Sequence, residues 1–458
     1  MRGCLKTPSP EVHGATSLRG AIERSIVAPK IMTVQSLDPP AALNETLDPQ
    51  PWMTAPATRA VIEALEARGG RGCARFVGGC VRNALMGRPV DDIDIATTLT
   101  PDETSAALEA AGLRAAPTGV EHGTVTAIAD HQPFEITTLR RDVSTDGRRA
   151  VVAFTTDWNQ DAQRRDFRLN ALYVDPDGRL FDPTGHGLAD ARAGRIVFVG
   201  DPMLRIREDY LRILRFFRFQ AWFGQGEPDP AALAACRALK ATLAGRSAER
   251  TQKELLKLLA ADDPRPALKL MAASGVLAAL LPFVKGLGRL EGLVEIERDP
   301  LAENDADLRL AALIPPDRAT AEQVAERLRL SNAQRDRMVA AVGSEPAITS
   351  WMSPRQVRRA VWRLGLQTFT DRVKLAWAAA DSPERGPQWR GLITLAQAWD
   401  RPVFAISGED VIDAGAAAGP LVGQILRELE DWWIDEDFPA DRDLALERLR
   451  IVAQGMLP

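Results

Sequence analysis

The chain has 458 residues, of which 45% are hydrophobic and 26% are charged, and its formal net charge is −5. This length exceeds one ordinary hydrophobic core and predicts several domains, and the small net charge confines any nucleic-acid binding to local patches. The four cysteines form no CxxC pair, which indicates a reducing, cytoplasmic setting without structural zinc or a disulfide framework. No apolar run approaches about 20 residues, so we expect no membrane span. Residues 1–50 contain scattered Pro, Ser and Thr and predict a loose leader.

The rest of the chain divides into two regions with different secondary-structure patterns. Up to about residue 200, turn signals and the helical pattern ETSAALEAAG alternate with five β-rich runs: ARFVGG, TVTAIA, PFEITTLR, LNALYVD and RIVFVG. After residue 201 strand signals nearly vanish, and helical patterns follow without a fixed period: EDYLRILRFFRFQAWFG, ERTQKELLKLLA, PALKLMAASGVLAALL, AEQVAERLRL, PRQVRRAVWRLG and GPLVGQILRELEDWWI. The order predicts a sheet-based head, α/β or α+β, on an elongated all-α remainder.

The stretch RFVGGCVRNALMGRPVDDIDIATT, residues 75–98, joins a glycine pair to a pair of aspartates. Gly78 and Gly79 end a predicted strand and open a predicted helix, which leaves bare backbone N–H groups as an anion site. Arg82 lies in the first turn of that helix, where the helix dipole disfavours a cation unless an anion is bound. With the aspartates downstream, these features predict a nucleoside triphosphate held over a metal ion.

Three acidic residues are candidates for that metal site. On a predicted strand, Asp92 and Asp94 would point the same way, about 6–7 Å apart, and their repulsion would call for a cation. Carboxylate oxygens suit Mg²⁺. The alternative is a turn in which Asp91 and both aspartates cap and face water. Glu135, in the middle of PFEITTLR, would complete a two-metal site, and its alternative is an edge-strand glutamate facing water.

The motif RRDFRLNALYVD, residues 164–175, places charges and an asparagine before a strand. Asp166 and Asn170 are candidates to contact a ribose, and Arg164 or Arg165 to contact a phosphate. An N-capped strand entry would look similar, so the motif alone is weak.

A stripe of polar residues follows in DPMLRIREDYLRILRFFRFQAWFG. Asp209, Arg212 and Arg215 recur every three residues and would share one face of a largely buried helix. Arginine and aspartate present fixed donors and acceptors that can read the edge of a base. The alternative is an internal salt-bridge ladder between packed helices. Further cations, which would close a base pocket or meet a phosphate backbone, are Arg246, Arg250, Lys253 and Lys257.

Together and in this order, the blocks resemble the class II CCA-adding tRNA nucleotidyltransferases, the branch that also contains bacterial poly(A) polymerases. The resemblance is close over residues 70–260 and loose beyond. It implies a polymerase-β-like palm as an α+β head, followed by a helical neck, body and tail. The expected division is a leader at 1–50, a head at 51–195, a neck at 196–262, a body at 263–335 and a tail at 336–458.

The resemblance also implies an activity: template-independent addition of C, C and A to the 3′ acceptor end of tRNA from CTP and ATP. Asp92 and Asp94 would be the catalytic carboxylates that bind Mg²⁺, and Glu135 would position or activate the primer hydroxyl. Asp209 and Arg212 would serve as an amino-acid template for the incoming base. The tail helices would bind the tRNA. Nothing in the sequence indicates an obligate protein partner or membrane association.

Four residues depart from the family pattern. Asn83 stands where the family usually has aspartate, and Arg168 replaces a threonine of the ribose motif. Arg141 and Arg149 replace an acid and a histidine around RDVSTDGRRAVVAF, which resembles the flexible loop needed to switch from C to A addition. None of these positions is a proposed metal ligand.

Two alternative functions remain open. An A-adding enzyme or a poly(A) polymerase shares these motifs, although AAPTGVEHGTVTA resembles the tRNA-specific branch and the loop DVSTDGRR argues against a CC-only enzyme. A non-catalytic RNA-binding relative would keep the fold, but the intact aspartate pair argues against it.

Overall fold

The computed structural model describes residue 43 and the ranges 45–145, 150–243, 247–298, 303–380 and 385–456. The predicted leader up to residue 42, together with Arg149 and Arg246, lies outside the described residues. No helix in the described part of the chain is long and apolar enough to cross a bilayer.

The head contains all nine strands seen in the described ranges. They are β1 Ala74–Val77, β2 Asp94–Thr97, β3 Arg114–Gly119, β4 Thr124–Ala129, β5 Gln132–Thr138, β6 Arg140–Thr145, β7 Ala150–Phe154, β8 Tyr173–Val174 and β9 Leu180–Phe181. Its helices are α1 Pro51–Thr54, α2 Pro56–Gly69, α3 Gly79–Leu85, α4 Pro101–Ala110, α5 Trp158–Gln163 and α6 Gly187–Ala193.

Seven of these strands form one mixed sheet in the order β3-β4-β5-β2-β1-β8-β9, and β6 pairs with β7 as a separate hairpin. β2 and β5 run parallel, whereas every other pair in the sheet is antiparallel. The parallel pair places Asp94 directly opposite Glu135. Two segments that are 41 residues apart in sequence therefore meet at the centre of the sheet.

The helical remainder follows from residue 202. It comprises α7 Pro202–Glu208, α8 Arg212–Phe223, α9 Pro230–Leu239, α10 Ala248–Leu259, α11 Arg265–Ser274, α12 Val276–Leu280, α13 Gly288–Ile296, α14 Ala306–Leu313, α15 Arg318–Leu328, α16 Asn332–Ala341, α17 Pro354–Leu364, α18 Leu366–Ala379, α19 Gly386–Gln397, α20 Gly408–Asp413, α21 Pro420–Asp435 and α22 Arg442–Met456. The α+β head on an all-α remainder confirms the predicted fold class.

Three predicted elements differ from the structure. RIVFVG is not a strand: Phe198 makes a single bridge to Phe167, and the aromatic ring of Phe198 packs against Phe167 and Phe216 in the core. The prediction that Asp92 lies on a strand was also wrong, because β2 begins at Asp94, where pairing with its neighbours begins. The helix predicted over EDYLRILRFFRFQAWFG begins only at Arg212, as α8, because α7 ends at Glu208 and the backbone is extended at Asp209.

One hydrophobic core runs from the head sheet into the helices behind it. It joins Phe76 and Ile95 of the sheet to Phe217 of α8 and onward to Leu310 of α14. The helix α8 is amphipathic, with Ile213, Leu214, Phe216, Phe217 and Phe219 buried, and it therefore holds its arginine face against the head. This packing places the polar residues of α8 beside RRDFRLN.

Candidate active site

Three carboxylates gather at the start of β2. Asp94 and Glu135 lie opposite each other on neighbouring strands, so their side chains share one face of the sheet. Ile93 and Ile95 are buried in the core, whereas Asp92 is exposed and Asp94 half-buried, which puts both aspartates on the side away from that core. β5 is an inner strand, so the edge position in the alternative for Glu135 was wrong, whereas the exposure of its side chain to water was right.

The electrostatics of Asp94 match a crowded acidic site. Burial, followed by the like charge of Glu135, raises the pKa of Asp94 to about 6, and Asp92 acts in the same direction. Arg165 and Arg82 oppose that rise. Because like charges repel when held together, this arrangement favours a bound cation.

The glycine pair lies immediately beside Asp94. Gly78 has φ +74°, a conformation that L-residues with a Cβ rarely adopt. A Cβ at this position would stand 3.5 Å from Asp94 Oδ2 and 3.7 Å from Arg165 Nη1. The bend therefore keeps bare backbone between an acid and a guanidinium, as the sequence predicted for a phosphate site.

Gly78→Ala is expected to lower kcat/KM for CTP by at least about tenfold, since the new methyl group enters this gap on a positive-φ backbone outside the left-handed helical region, strained by roughly 1–3 kcal/mol. The matched control is Gly87→Ala, because Gly87 also has positive φ (+64°) but no atom within 4 Å of its added Cβ. Steady-state CTP incorporation by both variants checks the prediction. Equal losses would attribute the effect to backbone strain alone.

Arg82 is buried on α3, and its charge faces this bend. Its guanidinium donates to Asn170 Oδ1 (2.6 Å) and to Asn83 Oδ1 (2.8 Å), and it lies 4.0 Å from the centre of the Phe223 ring. Burial lowers the pKa of Arg82 to about 10. Asp166 acts on Arg82 through its charge, but within the described residues Arg82 forms no salt bridge with a carboxylate. A Cβ on Gly79 would stand 3.8 Å from Arg82 Nη2, so its positive charge is available to an anion at the bend.

A cavity of about 410 Å³ lies next to this centre, between RRDFRLN and α8. Its lining includes five of the predicted nucleotide-binding side chains, Arg165, Asp166, Asp209, Arg212 and Arg215. The rest of the lining consists of Arg164, Leu211, Arg250, Lys253 and Glu254. The sequence had grouped Asp209, Arg212 and Arg215 on one helical face, but Asp209 has an extended backbone and precedes α8. All three nevertheless line the same cavity.

The polar side chains of this cavity are also paired with one another. Asp209 Oδ2 accepts from Arg250 (2.7 Å), and Arg212 donates to Glu208 and to two backbone carbonyls. Arg215 pairs with Asp166 and, at 3.5 Å, with Glu254. The salt-bridge ladder that the sequence offered as an alternative is therefore present in the structure, and its members other than Glu208 line the cavity.

Asp166 and Asn170 connect the cavity to the glycine bend. Asp166 accepts hydrogen bonds from the backbone N–H of Phe167 (2.8 Å), from Asn170 (3.0 Å) and from Arg215 Nε (2.9 Å). Burial alone would raise the pKa of Asp166, but Arg215 and these hydrogen bonds hold it at about 2. Asn170 in turn holds Arg82, so one hydrogen-bonded chain links Arg82 to α8.

Sequence reasoning did not identify several residues that hold this site together. These residues are Asp161, Tyr173, Glu208, Arg218 and Glu254. No sequence pattern distinguishes them, because each is an ordinary acidic, basic or aromatic residue whose partner is either distant in the chain or one helical turn away. Glu254 of α10 accepts from both Arg215 and Arg218.

Comparison with known proteins identifies the family. Residues 74–197 match the family profile described as "Poly A polymerase head domain", and residues 227–287 match "Probable RNA and SrmB- binding site of polymerase A". The chain is 32% identical over 389 residues to "CCA tRNA nucleotidyltransferase 1, mitochondrial" of Danio rerio, which covers 82% of this chain and 86% of the relative. The chain belongs to the CCA tRNA nucleotidyltransferase family. A bacterial member, the "CCA-adding enzyme" of Streptococcus gordonii, is 32% identical over 387 residues, covering 83% of this chain and 93% of that protein.

Solved structures of CCA-adding enzymes have the same fold. The Bacillus stearothermophilus CCA-adding enzyme in complex with CTP superposes with a TM-score of 0.70 at 27% identity, covering 88% of this chain and all of that one. The Thermotoga maritima enzyme complexed with tRNA has a TM-score of 0.58 at 21% identity, covering 82% of this chain and 90% of that one. The resemblance of this CCA tRNA nucleotidyltransferase family member therefore extends through the helical remainder.

Proposed function

We propose that the chain adds C, C and A to the 3′ end of tRNA from CTP and ATP, without a nucleic-acid template. The observation that carries this proposal is the juxtaposition of Asp94 and Glu135 on parallel strands, next to the Gly78 bend and the arginine-lined cavity. A triphosphate on the bend would lie beside the acids, and its base would reach the cavity. The family relationship supports the same reaction.

The acids suit Mg²⁺. No group of three or more His, Cys, Asp or Glu side chains within metal-binding reach occurs among the described residues. Mg²⁺ does not require one, because it keeps several waters and is held by one or two carboxylates plus substrate phosphates. Asp92 and Asp94 would be those carboxylates, and burial together with the charges of Glu135 and Asp92 raises the pKa of Asp94. When bound, the metal supplies activation of the primer hydroxyl and neutralisation of the leaving pyrophosphate.

The residues of this chain divide the remaining tasks. Gly78, Gly79 and Arg82 would bind the triphosphate together with Arg165, and Asp166 and Asn170 would position the ribose. Asp209 offers a carboxylate acceptor to the base, while Arg212 and Arg215 offer guanidinium donors. Such a pocket rejects a mismatched base because its own polar groups are then left unpaired.

An incorporation assay tests the proposal. The protein is incubated with tRNA lacking CCA, Mg²⁺ and labelled CTP or ATP, and the products are sized. Incorporation of two C residues and then one A is expected. A long A tail would instead indicate a poly(A) polymerase, a single A on tRNA ending in CC would indicate an A-adding enzyme, and no incorporation would indicate an RNA-binding relative.

Glu135→Gln is expected to lower kcat for CTP incorporation by about 10²-fold with little change in KM, since an acid that positions or deprotonates the primer hydroxyl acts mainly in the transition state. Glu109→Gln, an exposed change at the end of α4, is the control and should leave kcat unchanged. If KM for CTP instead rises by the same factor as the affinity for CTP falls, Glu135 takes part in nucleotide binding.

The division into head, neck, body and tail at 51–195, 196–262, 263–335 and 336–458 is part of the same proposal, with the tail helices as the tRNA-binding region. A reducing compartment is consistent with Cys73, Cys80 and Cys236, which are free and buried. The cytoplasm stays a prediction, because relatives from Danio rerio, Mus musculus and Homo sapiens are named mitochondrial.

A further inference from the structure

Asp161, on α5, is a buried acid outside the predicted site. Its side chain is 1% exposed, and one carboxylate collects five hydrogen bonds. Oδ2 accepts from Arg165 Nη2 (2.9 Å), Arg165 Nε (3.2 Å) and the Tyr173 hydroxyl (2.7 Å), while Oδ1 accepts from Arg164 Nε (2.8 Å) and the backbone N–H of Arg140 (3.3 Å). A buried carboxylate with this many donors fixes the geometry of each of them.

Arg165 lies between this acid and the candidate metal site. Its Nε and Nη2 face Asp161, and Nη1 has no hydrogen-bond acceptor within the described residues. Nη1 and Asp94 Oδ2 both lie within 4 Å of the point where a Cβ on Gly78 would stand. Among the described acids, Arg165 is thus held by Asp161 alone, and its Nη1 faces the glycine bend on the side of Asp94.

We propose that Asp161, with the Tyr173 hydroxyl, is a positioning group that aims Arg165 at the nucleotide phosphates and prevents it from pairing with Asp94. The inference rests on the proposed function, because it takes the glycine bend as the phosphate site and Asp94 as a metal ligand. A bidentate partner suits a planar guanidinium, so Asp161 occupies one edge and leaves the other for a phosphate oxygen. The charge of Arg165 already acts on Asp94, so without Asp161 the guanidinium would pair with Asp94 and exclude a cation.

Asp161 also contacts Arg164, and an effect transmitted through Arg164 would give a different result in a nucleotide-binding assay. The backbone carbonyl of Arg164 accepts from Arg212 at 3.3 Å. An effect transmitted by Arg164 would reach the base pocket and change the choice between CTP and ATP. An effect transmitted by Arg165 would weaken both nucleotides equally, because both carry the same triphosphate.

The test measures CTP, ATP and cytidine affinity by calorimetry with Mg²⁺ and without tRNA. Asp161→Asn keeps the shape of the side chain but removes its charge, and we expect affinity for CTP and ATP to fall equally, by about tenfold, with cytidine affinity nearly unchanged. In an Arg165→Ala background, Asp161→Asn should cause no further loss of CTP affinity, because the effects of two residues that act together are not additive. Tyr173→Phe, which keeps the carboxylate charge, should give a smaller loss of the same pattern.

Metal affinity supplies a readout independent of nucleotides. Mn²⁺ binding to the free protein, followed by electron paramagnetic resonance, should weaken several-fold in Asp161→Asn and recover in Asp161→Asn/Arg165→Ala, where no guanidinium remains to occupy Asp94. Thermal melts establish that each variant is folded, and Tyr173→Phe carries the test if Asp161→Asn does not fold.

Several results would overturn the inference. They are unchanged CTP affinity in Asp161→Asn, an equal loss of cytidine and CTP affinity, an additive loss in the Arg165→Ala background, and a changed CTP/ATP ratio, which would assign the effect to Arg164. Failure of the wild-type protein to extend tRNA would refute the proposed function instead, and the binding cycle would still report on Asp161.

Discussion

Asp94→Asn is expected to reduce CTP incorporation by at least about 10³-fold while tRNA affinity changes less than twofold. Asparagine keeps the shape of the side chain but removes the charge that would hold Mg²⁺, and the loss of a metal ion that polarises the reacting groups amounts to several kcal/mol of transition-state stabilisation. Single-turnover incorporation and a filter-binding assay with tRNA measure the two quantities.

The melting temperature of Asp94→Asn distinguishes a loss of catalysis from misfolding. Burial and Glu135 raise the pKa of Asp94, so the charged form is disfavoured in the folded protein and a neutral isostere should not lower the melting temperature. The control is Asp91→Asn, at the exposed acid three residues earlier, which should retain wild-type activity. Retained incorporation by Asp94→Asn would remove this residue from the catalytic role.

Arg212→Ala is expected to reduce discrimination between CTP and UTP by about 10²-fold, because a pocket selects a base through polar groups that a wrong base leaves unpaired. Arg212 lines the cavity and is oriented by Glu208 and by the backbone carbonyls of Arg164 and Arg205. Ratios of kcat/KM for the four nucleoside triphosphates measure the effect, which should fall on selectivity more than on the rate with CTP.

The matched control is Arg207→Ala, since Arg207 is an exposed arginine of the adjacent α7 and lies outside the cavity lining. It removes the same charge without touching the pocket, and its selectivity should equal that of the wild type. An Arg212→Ala protein with unchanged preferences would contradict the amino-acid-template account.

The local chemistry of the site could be predicted from sequence because it depends on short-range patterns. The alternation of Asp92, Ile93, Asp94 and Ile95 determines which side chains are buried, whichever strands pair with this segment. Gly78 followed by a helical pattern likewise predicted the bend. The position of Glu135 beside Asp94 could not be predicted in this way. Glu135 was a candidate by residue type, but its register opposite Asp94 depends on a parallel strand pairing that no local pattern encodes.

The break at Asp209 shows why a periodic pattern can mislead. Apolar spacing predicted one continuous helix, but Asp209 Oδ1 accepts from the backbone N–H of Leu211 (3.1 Å), a local bond that competes with helical hydrogen bonding. Asp161 escaped notice for another reason. Its partners Arg164 and Arg165 are one turn away, and only the folded head shows that Tyr173 and the β6 hairpin converge on the same carboxylate.

The most direct test of the account is a crystal structure of the protein with CTP and Mg²⁺. We expect metal density bounded by the carboxylates of Asp92 and Asp94 and by phosphate oxygens of CTP, with the triphosphate on the Gly78–Gly79 bend and the cytosine edge at Asp209 and Arg212. A nucleotide bound elsewhere, or a pair of aspartates that turn away from its phosphates, would contradict the central claim.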